Sequence, residues 1–152
     1  MKQYRTATVA DAVKVANNLR PEDLQEIEAL GHNGLGVVFS VLLSDVAVSF
    51  FNSEGEIAGV AGIVPDSREG VGIIWMLCTP VVQSQRITFV KQAKAWLRDE
   101  QSNYRILWNL ADARNQLHHK LLKMLGFKAL RSVPAGPNNL PFLEIVKLCA
   151  YQ

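Results

Sequence analysis

The sequence is poor in the features that mark extracellular, membrane or nucleic-acid-binding chains. It has only two cysteines, Cys78 and Cys149, in 152 residues. A disulfide framework is therefore excluded, and the strand-like apolar surroundings of both point to buried, reduced thiols and a cytosolic setting. The apolar runs around Val37–Leu43 and Val71–Cys78 fall well short of the roughly 18 residues a membrane span requires. The amino terminus carries no apolar stretch behind its positive charge, so no signal peptide is expected. A net charge of +2 is too small to imply nucleic acid. Lys120, Lys123, Lys128 and Arg131 read as a solvated helix face and its exit. No repeat, low-complexity tract, linker or metal-ligating cluster is present.

What is there is an ordinary globular composition, 49% hydrophobic and 20% charged, long enough for one domain (residues 1–152) to bury its own core. The pattern opens with a strand at Tyr4–Ala7. Thr8 and Asp11 then form a capping box ahead of the helical stripe Val9, Ala12, Val13, Ala16. Pro21 opens a second helix and Gly31 closes it. Val37–Leu43 is a short buried helix or strand. Val46–Phe51, Ile57–Val64 and Val71–Thr79 are antiparallel strands, the last apolar on both faces and stopped by Pro80. The period turns helical from Ser84 to about Glu100, then gives a strand at Ile106–Ala111 and a helix at Asn115–Leu125. Phe127–Leu130 and Phe142–Cys149 are the last strands, separated by residues 134–141. The order predicts an α/β (α+β) layer with a mixed sheet of about six to seven strands and helices on both faces.

Asn115, Gly126 and Phe127, bounding a helix that follows a strand–helix–strand, resemble the carboxy-terminal half of a GNAT (Gcn5-related N-acetyltransferase) domain. In layout the resemblance covers nearly the whole chain; in residues it covers about 71–130. It implies an acyl-CoA site in which the amides of Leu77, Cys78 and Thr79 and those of Gln85, Arg86, Ile87 and Thr88 hold the cofactor, together with Asn115. The family places Gln/Arg-x-x-Gly-x-Gly/Ala at this loop. Gln83 fits its first position, but Arg86 and Thr88 stand where glycines belong, and their side chains would crowd a backbone-cradled phosphate. The tyrosine that many relatives carry seven residues after the asparagine, as proton donor to the departing thiolate, is Leu122 here. His118 and His119 lie on the same helix but not at that place, and read as surface histidines. The strand Val71–Thr79 offers no acid or histidine as general base. Asp112 is the best-placed candidate, though it could equally hold Arg114.

Met76-Leu-Cys-Thr79-Pro80, with Trp96-Leu97, Trp108-Asn109 and Asp112-Ala-Arg-Asn115, looks like phage-encoded GNAT-like proteins, among them the small internal virion proteins of T7-type podophages. That resemblance implies protein partners in a virion or host, with an oligomer as a further option, and residence in the host cytoplasm or the particle. Trp75, Trp96 and Trp108 read as core filling. The sequence thus favours a GNAT fold kept for shape, with no catalytic residue and no bound cofactor. The alternative is an acetyl-CoA-dependent N-acetyltransferase acting on a primary amine with a variant phosphate loop.

Overall fold

The computed structural model describes residues 3–149. Strand β1 (Tyr4–Thr6) leads through the Thr8–Asp11 capping box into α1 (Val9–Ala16). Then come α2 (Pro21–Ala29), α3 (Leu35–Leu43), β2 (Val46–Phe51), β3 (Ile57–Pro65) and β4 (Val71–Cys78). A 3-10 turn (Pro80–Gln83) precedes α4 (Arg86–Glu100), β5 (Ile106–Asp112), α5 (Gln116–Met124), β6 (Lys128–Ala135) and β7 (Leu140–Leu148). The seven strands form one sheet in the order β1-β2-β3-β4-β5-β7-β6, antiparallel except where β4 runs parallel to β5. The apolar β4 is the middle strand, as its lack of a polar face demands. Among the described residues no helix is long and apolar enough to cross a membrane.

The sheet divides two cores. Phe89, Ala93, Trp96 and Leu97 of α4 and Leu121, Leu122 and Leu125 at α5 pack against Ala61, Ile63, Ile74 and Leu107 on one face. Ala12, Val15, Ile27 and Val37 from α1–α3 pack against Val60 and Leu77 on the other. Of the three tryptophans only Trp96 is core. Trp75 and Trp108 are half-buried, and their indole N–H groups reach Ser44 Oγ (2.8 Å) and Asp66 Oδ2 (2.9 Å).

Residues 37–43, left open between helix and strand, lie within α3. Asn33 Oδ1 accepts the Leu35 amide (2.9 Å), and Val37 is buried against α1 and β3. Packing there overrides the strand preference of its valines. The last hairpin is longer than Phe127–Leu130 and Phe142–Cys149 suggested, and its turn shrinks to residues 136–139. Pro134 and Pro141 face each other across it. β6 is an edge strand and Pro141 lies at the start of β7, so the missing amides cost little. Gly136 turns the chain at φ +74, and a Cβ there would lie 1.8 Å from the Ala29 carbonyl, so the hairpin tip is fitted to the end of α2.

Candidate functional site

β4 and β5 pair only from Val71 to Ile73 and from Ile106 to Trp108, then part. Asn109 Nδ2 reaches across to the Ile74 carbonyl (2.6 Å), and beyond it the gap widens into a cavity of about 420 Å³. Trp75 and Leu77 of β4, Phe39 and Leu43 of α3, and Leu122 and Leu125 at α5 make it predominantly apolar. On the α4 side a narrow slot of about 70 Å³ is lined by Cys78, Val82, Phe89 and Leu117. Met76, His118 and Leu121 border both spaces and form the partition between them. Strand alternation turns the main-chain groups of Ile74, Met76 and Cys78 towards the gap and those of Leu77 and Thr79 towards β3. The Thr79 amide accordingly donates to the Ala58 carbonyl (2.9 Å).

Helix α2 bridges the open end of this gap. The Arg20 amide donates to the Cys78 carbonyl (2.8 Å), and the Cys78 amide donates to Asp23 Oδ2 (2.7 Å). One turn on, Glu26 Oε1 accepts the Asp112 amide (2.5 Å) from β5. Asn115 closes the network: its Nδ2 donates to Asp23 Oδ1 (2.9 Å), and its Oδ1 accepts from Arg20 Nη2 (2.8 Å). Arg20, Asp23, Glu26 and Asn115 are all buried. Such groups are tolerated inside when hydrogen bonds satisfy them, and here nearly all are satisfied, Arg20 Nε being a buried donor without a partner among the described residues.

His118 is the remaining member. Its Nδ1 lies 3.3 Å from Glu26 Oε2. A carboxylate can only accept, so Nδ1 carries the hydrogen and, in the neutral ring, Nε2 keeps its lone pair. Burial alone would lower the imidazole pKa. The hydrogen bond and charge of Glu26, with the charge of Asp23, outweigh that and the opposing Arg20, and raise it above its ordinary value.

The residues singled out from the sequence fall into three groups. Leu77 packs in the α1–α3 core, Cys78 sits at the gap, and Thr79 donates its hydroxyl to the Ile57 carbonyl (2.8 Å) while capping the 3-10 turn. Burial and then the Asp23 charge push the Cys78 thiol pKa well up. Asp112 and Asn115 both join the α2 network. Asp112's carboxylate, however, is gripped by the Arg114 guanidinium (3.0 and 2.7 Å) and amide (2.9 Å), which hold its pKa below the ordinary range. Asn115 stands at the start of α5 but does not cap it, because its side chain is taken by the charged groups of α2. Gln85, Ile87 and Thr88 lie apart, in a shallow depression with Gln3 and Ser53, and Arg86 lines both that depression and the mouth of the slot. Gln85 binds Ser53 by Oε1 to its amide (2.9 Å) and Nε2 to its hydroxyl (2.6 Å), while Arg86, Ile87 and Thr88 are exposed in an uncapped first turn.

Sequence reasoning missed Arg20, Asp23, Glu26 and the place of His118. One signal was available. Asp23 and Glu26 share a helical face with Ile27 and Leu30, so two acids lie on the apolar side of α2. Charges on an inward stripe need partners, and partners make a site.

No protein-family model and no curated protein matches the sequence. Solved structures match its fold. A GNAT-family acetyltransferase from Streptococcus pneumoniae superposes with a TM-score of 0.69 at 16% identity over 96% of this chain and 98% of its own. The ribosomal-protein-alanine N-acetyltransferase from Brucella melitensis gives 0.71 at 15% identity over 95% and 98%. A phosphinothricin acetyltransferase from Sinorhizobium meliloti, solved in complex with AcCoA, gives 0.69 at 14% identity over 96% and 87%. The chain has the GNAT fold.

Proposed function

We propose that this chain is an acyl-CoA-dependent N-acyltransferase, with acetyl-CoA as donor and a primary amine on an apolar body as acceptor. The observation that carries the reading is the hollow between the parted β4 and β5, with a half-buried histidine paired to a buried carboxylate in its wall. A protein kept only for its shape gains nothing from leaving that space unfilled, since voids cost stability. Acetyl-CoA would supply an activated acyl carbon.

The residues present fit it at two of three places. The slot walls of Val82, Phe89 and Leu117 suit an aliphatic arm, and the unsatisfied amides at the start of α4, beside Arg86, suit phosphates. At β4 the Cys78 amide is already held by Asp23 and that of Thr79 by Ala58, so the main chain of Met76 is what remains facing the gap. With Asp112 held by Arg114, chemistry rests mainly on positioning the amine against the acyl carbon in a dry cleft.

Thermal melting tests the reading. A cofactor present at about 100 times its dissociation constant stabilises the fold by about 2.7 kcal/mol, a rise in Tm of roughly 5–10 °C for a chain of this size. No rise at millimolar acetyl-CoA would overturn it. The second reading, a GNAT-fold protein that works without CoA through a protein partner, is favoured by the α2 side chains on β4 and the missing loop glycines. A virion or host role belongs to that reading. The exposed Leu35, Phe39, Leu42 and Leu43 of α3 would then be its contact surface or an oligomer contact.

A further inference from the structure

We propose that His118, oriented by Glu26, is the catalytic residue that carries the proton from the acceptor amine to the departing thiolate; this rests on the acyltransferase reading.

The argument is one of position. An acyl transfer joins two molecules that approach from different sides, and the proton it displaces has to cross between them. Of the three residues that border both the large cavity and the narrow slot, Met76 and Leu121 have no transferable proton, which leaves His118. It lies on α5 one turn before Leu122, on the same face, so a group at 118 serves the wall that Leu122 cannot.

The ring is also prepared for the task. Glu26 fixes Nδ1–H, and Glu26 is itself fixed by the Asp112 amide and, at 3.4 Å, by Asn115 Nδ2. Nε2 has no hydrogen-bond partner among the described residues, and the side chain that carries it lines both spaces. The charged groups around it are Glu26 and Asp23 of α2, Arg20 at that helix's N-cap, and Arg86 across the slot. A base whose second nitrogen is held by a carboxylate keeps one tautomer and one direction of attack.

The step balances without another reactant. The amine nitrogen attacks the thioester carbonyl carbon, forming a C–N bond as the C–S bond breaks. One proton leaves that nitrogen for Nε2, and the imidazolium returns it to the thiolate sulfur. The products are an amide and a free thiol, and His118 ends neutral as it began.

The test uses the intact protein and bromoacetyl-CoA, whose electrophilic carbon sits where the acetyl methyl group would. Thermal melting with acetyl-CoA is run alongside. The expected result is alkylation of His118, located by peptide mass spectrometry, suppressed by excess CoA and lost in His118→Gln. In Glu26→Gln the pH midpoint of labelling moves down, because the carboxylate no longer supports the imidazolium; rescue by Glu26→Asp is partial. A protein that melts higher with acetyl-CoA but is labelled elsewhere, or not at all, overturns the role of His118 while the acyltransferase reading stands. A protein that neither melts higher nor is labelled overturns both. The wild-type labelling decides the matter even if a variant fails to fold.

Discussion

The two ends of the β4–β5 cleft are built on opposite principles. At the α2 end, charged side chains are buried and nearly every lone pair and hydrogen is matched: Arg20 against Asp23 and Asn115, Glu26 against the Asp112 amide and His118. At the α4 end, Arg86, Ile87 and Thr88 stand in water with no side-chain cap over their amides. The family pattern directs attention to the α4 end, where this chain departs from it. The buried charges lie at the other end, on and beside α2, a helix that carries no motif. A buried network is held in one geometry and can position a reacting group, whereas an exposed turn offers only a field and some donors.

The largest effect comes from breaking the ordered end. Arg20→Met leaves Asp23 buried without its cation and Asn115 without its donor, and is expected to cost about 3–5 kcal/mol in urea unfolding. A cost below about 1 kcal/mol would mean that the network is loosely held and that the contrast between the ends is not real. Asp23→Ala breaks the same buried pair from the other side and leaves the Cys78 amide without its acceptor, so its cost falls in the same range of about 3–5 kcal/mol. It also separates the two functional readings. If acetyl-CoA uses this gap, removing the competing carboxylate increases the rise in Tm that cofactor produces. If the chain works without CoA, the variant melts lower and cofactor still changes nothing.

The pH dependence sharpens the same comparison. The folded-state pKa of His118 lies above its unfolded value, so the protonated form is favoured by folding. Its contribution is complete below about pH 6.5 and is lost as pH rises through the folded pKa. Stability should therefore fall as pH rises above about 6.5 in the wild type, and that fall should shrink in Glu26→Gln. Asp11 behaves oppositely and serves as the internal control. Burial works against its charge, but Arg5, the Thr8 amide and Ser49 hold its pKa down to about 2. Its contribution is present above about pH 4 and lost as pH falls towards 2, a window that Glu26→Gln leaves untouched.

Much of this fold could be read from the sequence because its signals are local. The Thr8–Asp11 box, Pro21, Pro80 and the positive φ of Gly31 and Gly126 each mark a boundary by their own chemistry. Strands β2–β4 followed from their apolar runs. The site was less legible because it is made by contacts across long stretches of chain. Asp23 meets Cys78 across 55 residues, and Glu26 meets His118 across 92. No spacing rule links such positions: the inward stripe of α2 marks Asp23 and Glu26 as acids that need partners, but not which residues those partners are. The resemblance supplied the region of an acyl-CoA site and the place of Asn115. Knowing the family's use of that asparagine did not reveal that here it binds α2.

The smallest effect should come from Arg86→Ala, and its small size is what makes it informative. Arg86 is exposed and makes no side-chain hydrogen bond among the described residues, so the change should alter stability by no more than about 0.5 kcal/mol. Any loss of cofactor affinity is then a direct measure of what the guanidinium contributes to phosphate binding. One charge-assisted contact at a solvated site supports a decrease of a few-fold to about tenfold, the range of roughly 1 kcal/mol. The effect should diminish with added salt, since an exposed pair is screened within about 10 Å at 0.1 M. A salt-independent loss would mean that Arg86 acts through the slot it borders rather than through an open phosphate seat. An unchanged affinity would leave the amides of α4 to bind the phosphates alone, and would show that a glycine-free turn can do so without help from its own side chains.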